Sequence, residues 1–220
     1  MSSVSDAASP PGRSLPDRLI TTGGTRQRLL EQGLILFGAR GYHGVSVREL
    51  AAAVGIRASS FYAHFDTKEQ LLYELLSAGH QEHRDALRSA LLDSDASPMD
   101  QVRRLMTAHV VAHATYPLLG QICNRERGAL SIPNRDRIGT VRMESAQLFF
   151  DVIERGVRLG AFEVLEPQLT VSALGAIGIR VAEWWSVDLG YRIDHVAATY
   201  ARFAQRMLTP DPPDSQGSGS

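Results

Sequence analysis

The chain has 220 residues, 44% of them hydrophobic, and a formal net charge of −1, so it can bury a proper core in one domain or two small ones. The single cysteine, Cys123, excludes an intramolecular disulfide and fits a reducing cytosol. No membrane span or signal peptide is expected, because the most apolar stretch, 171–185, is broken by Arg180 and Glu183, and the N-terminus offers Asp6 and prolines where a leader needs an apolar run; a cytoplasmic location follows. The charge is unevenly placed. Residues 25–68 carry six basic side chains against three acidic ones, whereas residues 69–220 carry 15 arginines against 19 acids. A basic N-terminal module on an acidic body suits a protein that touches a polyanion through one end, and two copies side by side would strengthen that footprint.

Residues 1–24, rich in Ser, Pro and Gly and without periodicity, read as a disordered arm. From Thr25 the pattern becomes helical: Leu29, Leu30, Gly33, Leu34, Leu36 and Phe37 mark an apolar face, and Gly41 closes the helix. Ser46 and Glu49 stand three apart as a capping box, so a second helix starts there, with Val47, Leu50 and Ala51 as its apolar stripe. Val54-Gly55 ends it with a residue that enters a left-handed turn at no steric cost. A third short helix is predicted over 58–65, with Phe61 and Phe65 in the core, and Thr67 with Gln70 makes a further capping box. Helix, tight turn and helix at this spacing is the shape that delivers a short helix into a DNA major groove.

The helix opened by Thr67 should run to about residue 92, physically joining this unit to the rest of the chain. A loop follows over 93–97. Ser97-Pro98 then provides an N-cap with proline at the first helical position, for a helix broken at Tyr116-Pro117. Further helices are expected over 118–127, from Pro133 to about Gly160, from Pro167 to about Val187, and over 193–208. The tail, 210–220, reads as disordered. No repeat and no convincing strand alternation appears, so the fold class is all-α, with about nine helices.

With 25–72 in view, the pairs Leu36-Phe37, Gly41-Tyr42, Leu50-Ala51, Val54-Gly55, Phe61-Tyr62, His64-Phe65 and Lys68-Glu69 fall at family spacing. The segment resembles the DNA-binding domain of the TetR family of bacterial transcriptional regulators. The resemblance implies a three-helix DNA-binding domain with a helix-turn-helix over 25–70 and a helical ligand-binding and dimerisation bundle over 71–209. It also implies a homodimer on a palindromic double-stranded DNA operator, released by a small-molecule effector. Neither a cofactor nor an enzymatic activity is expected. The residues expected to face DNA are Ser46, Arg57, Ala58, Ser59, Ser60, Tyr62, His64 and Lys68. The chain departs from the family at Arg57, Ala58 and Ser59, where Ser, Lys and Gly are common. Arginine is a poor cap and costs about 1 kcal/mol of local helix stability unless another partner, such as a phosphate oxygen, meets the first-turn amides. It is also the best side chain for a bidentate contact to guanine.

In this family the dimer interface resembles a four-helix bundle built from the last two helices of each chain, for which Ala173, Ala176, Ile177, Val181, Ala197, Tyr200, Ala201 and Ala204 offer small and apolar faces. Gly175 and Gly178 weaken a lone helix but permit close backbone approach or leave room for a ligand. The C-terminal half also resembles, more loosely, the branch that controls fatty-acid or steroid catabolism and senses acyl-CoA thioesters. Tyr116-Pro117, Asn124, Glu126 and Gly156 with Gly160 carry that likeness. An acyl-CoA would want arginines for phosphates and aromatics for its apolar parts, which makes Arg125, Arg127, Arg180, Trp184 and Trp185 candidates, the two tryptophans being equally open to a place in the core of the dimer interface, with Tyr116, His109 and His113 as pocket lining. His109 and His113 stand at i, i+4, a spacing that can grip a metal from one face, and His80 and His83 do something similar. No cysteine or carboxylate cluster completes either set, so no metal is expected. A catalytic reading of the same pair lacks a nucleophile and base, since Cys123 has no neighbouring histidine in sequence.

Overall fold

The computed structural model describes residues 15–20, 24–92 and 96–209. Every regular element among them is helical: α1 (Asp17–Ile20), α2 (Gly24–Arg40), α3 (Val47–Ala53), α4 (Ala58–Phe61), α5 (Lys68–Ala90), α6 (Pro98–Thr115), α7 (Pro117–Arg125), α8 (Ile132–Arg158), α9 (Pro167–Ile179), α10 (Val181–Trp184) and α11 (Ile193–Leu208), with short 3-10 turns after α7 and α10.

Local chemistry explains where the helices start. The Glu49 amide donates to Ser46 Oγ at 3.2 Å and the Glu49 carboxylate accepts from the Ser46 amide at 2.8 Å, so the capping box is closed. The Thr67 hydroxyl accepts from the Gln70 amide at 3.0 Å, and the Gln70 side chain reaches back to the amide of Asp66 rather than to that of Thr67 itself. Ser97 caps α6 by accepting from the Asp100 amide, with Pro98 in the first turn. Gly41 and Gly55, at φ of +72° and +75°, make the left-handed turns that end α2 and follow α3.

Three expectations need correction. Residues 15–20, read above as part of a disordered arm, are docked: Leu15 is buried in the core, and Arg18 of α1 reaches Gln81, Glu82 and Asp85 of α5. The rest of the expected arm and the tail at 210–220 lie outside the described residues. The helix expected over 58–65 is helical only to Phe61, continuing as turns that still bring both Phe61 and Phe65 into the core. The helix expected to run from Pro167 to about Val187 breaks at Arg180. Two glycines weaken its last turns, and the redirected chain buries Val181 and Ala182 against α7, where Gln121 Nε2 donates to the Ala182 carbonyl at 2.7 Å.

The apolar side chains form two clusters. The first joins α2, α3, α4 and the first half of α5 to Tyr116, Leu119, Ile122 and Cys123 on and beside α7. The second joins the end of α5 to α6, α8, α9, α10 and α11. Burial therefore continues across residue 70, and α5 threads both clusters.

Candidate functional site

Two surfaces matter: the face of α3 and α4, and a cavity inside the body. On the first, Ser46, Arg57, Ser59, Ser60 and Tyr62 are exposed, while Ala58 and His64 are half-buried. Arg57 sits at the N-cap of α4 with no side-chain cap bond, so the first-turn amides of that short helix have no partner from it. No ion pair within the described residues engages Arg57 or the neighbouring Arg48, which is equally exposed and which the sequence reading left out. Ser46 is committed to its capping box. The Glu49 carboxylate is held down to about 2 by hydrogen bonds from the Ser46 amide and hydroxyl and by Arg40.

Lys68 is employed differently from the expectation that it faces DNA. Its Nζ donates to the carbonyls of Tyr42 at 2.9 Å and Val45 at 2.7 Å and lies 3.9 Å from the centroid of the Tyr42 ring. The lysine staples the turn between α2 and α3 to the start of α5. Its effect on a DNA surface therefore passes through the position of that turn.

The cavity measures about 640 Å³ and lies between α5, α6, α7, α8 and α9. That is room for a drug-sized ligand body. Of the residues expected to meet a ligand, His109, His113 and Tyr116 line it. The other five stand elsewhere. Arg125 donates to the carbonyls of Phe37 and Gly38 at the end of α2. Arg127 lies against Gly139 of α8, and Arg180 is paired with Glu183 at the surface. Trp184 is exposed and stacks on Tyr200, and Trp185 is buried with its indole N–H donated to the Tyr191 carbonyl at 3.0 Å. Neither tryptophan faces the cavity.

The lining holds polar groups that sequence reasoning did not bring together. Arg142 of α8 is the only arginine among them. Two further lining residues carry buried polar atoms without a partner among the described residues, His80 Nε2 and Asn124 Nδ2. Burial, with the charge of Arg142, pushes the His80 ring down to about 3, and burial pushes the Cys123 thiol up to about 12, so both are neutral. His83, His109 and His113 meet on the same wall, with one ring nitrogen from each within 4.8 Å of the others. The pair at i, i+4 on α6 was visible in the sequence; its third member comes from α5, 26 residues away, and no sequence periodicity links them.

α7 connects the cavity to the helix-turn-helix unit. One face of it, with Leu119, Gly120, Cys123 and Asn124, lines the cavity. Its C-terminal end carries Arg125, bound to α2 as described, beside Glu126, whose carboxylate accepts from the Tyr42 amide at 3.3 Å. A Cβ on Gly38 of α2 would collide with the Leu118 side chain, so α2 and α7 touch at close range. A second latch joins α5 to α8, where Glu69 accepts from the Ser131 amide and from Asn134, both at 2.9 Å.

Comparison with known proteins agrees with this arrangement. Residues 95–208 match the family described as tetracyclin repressor-like, C-terminal domain, and residues 29–75 match that of bacterial regulatory proteins, tetR family. The HTH-type transcriptional repressor KstR2 of Mycolicibacterium smegmatis is 30% identical over 78% of the chain and 82% of that protein. A crystal structure of a bacterial regulatory protein in the tetR family from Rhodococcus RHA1 superposes with a TM-score of 0.80 at 27% identity, covering 87% of this chain and all of the other. The structure of the ketosteroid transcriptional regulator KstR2 of Mycobacterium tuberculosis has the same fold, with a TM-score of 0.78 at 24% identity over 87% of this chain and 98% of the other.

Proposed function

Because the chain belongs to the TetR family of bacterial transcriptional regulators, we propose that it is a ligand-responsive repressor that binds a palindromic operator as a homodimer. It is released when a small effector with an apolar body fills the cavity between α5 and α9. The observation that carries this reading is the double role of α7, which lines the cavity with one face and grips the end of α2 through Arg125 and Glu126. An effector that fits the cavity better when α7 has moved shifts the position of α2, and α3 and α4 move with it. Affinity alone would shift nothing.

At the DNA, Arg57 reads bases, and Ser59, Ser60, Tyr62 and His64, with Arg48 added, meet the backbone; the exposure of all of these side chains but the half-buried His64 supports this. The reader extends over 25–70 and the body over 71–209. The dimer forms through α10 and α11. Val181, Ala197, Ala201 and Ala204, expected at that interface, are buried in the chain's own second cluster. The apolar face left outward is that of Tyr200, Phe203 and Met207 with Trp184 stacked beside them, and these are the residues we assign to the interface.

The effector class is an acyl thioester or a similar apolar ligand with one polar end. The cavity suits the acyl part, with Phe149 and Leu119 for apolar contact and the unpartnered Asn124 Nδ2 to donate to a carbonyl. Phosphates of a coenzyme A moiety would meet only Arg142 among the lining arginines, so most of that moiety would sit at the mouth.

The test is fluorescence anisotropy of the full chain on the promoter beside its own gene, over a salt series and with acyl-CoAs of increasing length. Affinity should fall steeply as salt rises, and one chain-length window should release the DNA. Salt-independent binding, or none, would overturn the regulator reading. Arg125→Ala should leave effector affinity within about threefold while reducing the coupling to DNA release at least fivefold, about 1 kcal/mol or more.

A further inference from the structure

Three histidines converge on the cavity wall from two helices, His83 from α5 and His109 and His113 one turn apart on α6. Their ring centroids are 4.9 Å (His83 to His109), 4.9 Å (His109 to His113) and 5.3 Å (His83 to His113) apart. The tautomer of His109 is fixed by its surroundings. Its Nε2 lies 3.0 Å from the Gly175 carbonyl, which can only accept, so Nε2 carries the proton and Nδ1 presents a lone pair. That lone pair faces His83 Nε2 at 2.7 Å. An imidazole with one nitrogen donated to a backbone carbonyl and the other bare is the arrangement that supports a metal ligand.

The geometry points to a binding site for one Zn²⁺ ion, held by His83, His109 and His113, with its fourth coordination position open to the cavity. The donor set is right for a late first-row divalent ion, since neutral imidazoles bind such metals well, and a three-histidine set with an open position is a familiar zinc arrangement. All three rings are neutral at ordinary pH: burial brings His109 down to about 4, and burial with mutual repulsion holds His83 and His113 well below the usual histidine range. His83 Nε2 donates its proton to His109 Nδ1 at 2.7 Å, so the ion takes the place of that proton, which moves to the other nitrogen of the His83 ring. A tetrahedral ion at about 2.0–2.1 Å from two nitrogens holds them roughly 3.3 Å apart, so the His83 and His109 nitrogens need to separate by only about half an ångström. The open cavity on that side gives the His83 ring room to do so.

Two glycines make room for the rings. A Cβ on Gly178 would collide with the ring of His109, and one on Gly120 would lie 3.2 Å from His113 Nδ1. The Gly178 position, which in a lone helix only weakens α9, allows His109 to lie against that helix and reach Gly175. Arg142, which also lines the cavity, opposes the charge of the ion, and a hydroxide or another anion in the open position offsets it. The site needs neither DNA nor an organic effector, so it stands or falls apart from the regulator reading.

The test uses the metal-stripped full chain, titrated with Zn²⁺ against a chromogenic chelator and separately with Co²⁺ as a spectroscopic probe. One ion should bind per chain, and the Co²⁺ form should show the intense visible absorption of a four-coordinate ion. His83→Ala and His113→Ala should each weaken Zn²⁺ binding by more than about 100-fold, beyond the 10- to 100-fold cost of losing an outer-shell partner. His195→Ala, at an exposed position beside Tyr191, should bind as the wild type does. Circular dichroism of the metal-free variants checks that they are folded, and the volume-conserving His83→Gln and His113→Gln replace any that are not. Absence of stoichiometric Zn²⁺ binding, a Co²⁺ spectrum like that of the aqueous ion, or full affinity in the folded His83 and His113 variants would overturn the assignment.

Discussion

The two apolar clusters differ in how they are filled. The first closes on itself, with Phe37, Phe61 and Phe65 among its fully buried side chains and α7 laid across it. The second is packed around α6 and α11 but borders the cavity, and Phe149 at its edge faces both. Tyr116, Leu119 and Cys123 belong to the first cluster and also line the cavity, so the open space lies at the seam between the two. A close-packed interior resists continuous deformation. The place where two arrangements of such a molecule can differ cheaply is its void, and here the void adjoins the helix that holds α2.

The largest expected effect tests that contrast directly. Phe37→Ala removes a ring from the solid cluster and should lower stability by about 3–5 kcal/mol, read from urea unfolding. Phe149→Ala should cost clearly less, because its neighbours already border open space. Equal losses would mean that the cavity edge is as tightly packed as the reader core. A smaller effect separates two kinds of residue within the reader itself. Lys68→Ala removes two charge-assisted hydrogen bonds and should cost about 1–3 kcal/mol of stability, weakening all DNA sequences alike. Arg57→Ala should leave the melting temperature near that of the wild type and cost about 1–3 kcal/mol of discrimination between bases, seen by comparing operator variants. If Arg57→Ala weakens every operator variant equally, Arg57 is a backbone contact.

The smallest effect concerns acid. The folded-state value of Glu49 is depressed to about 2, so the stability it contributes is complete above the ordinary carboxylate value of 4.5 and is lost as pH falls from there through about 2. Glu49→Gln should flatten that part of the acid unfolding curve, followed by circular dichroism. An unchanged curve would show that the box makes no net contribution.

The same contrast explains how much could be read from the chain alone. The DNA-facing unit is written in short-range signals: Ser46 with Glu49, Thr67 with Gln70, and glycines where φ must be positive, each acting within a few residues. Those signals locate α2, α3 and α5 within a few residues of their ends. The cavity is written in long-range contacts. His83 meets His109 from another helix, and Arg125, by composition a phosphate ligand, is spent on two carbonyls 87 and 88 residues away. Residue type suggested a role for Arg125, Arg180 and Trp185, but only packing decides which side of a helix faces the void. Lys68 shows the same limit within the legible half, since its motif position gave no sign that Tyr42 and Val45 already occupy its ammonium.

Lys68 is also the only lysine in the chain. A protein with one side-chain amine offers acylating reagents a single internal address, and here that address is sealed: partial burial lowers its basicity, and two carbonyls hold its protons. The rate at which such a reagent reaches Lys68 is therefore a clock, counting how often the turn between α2 and α3 lets go.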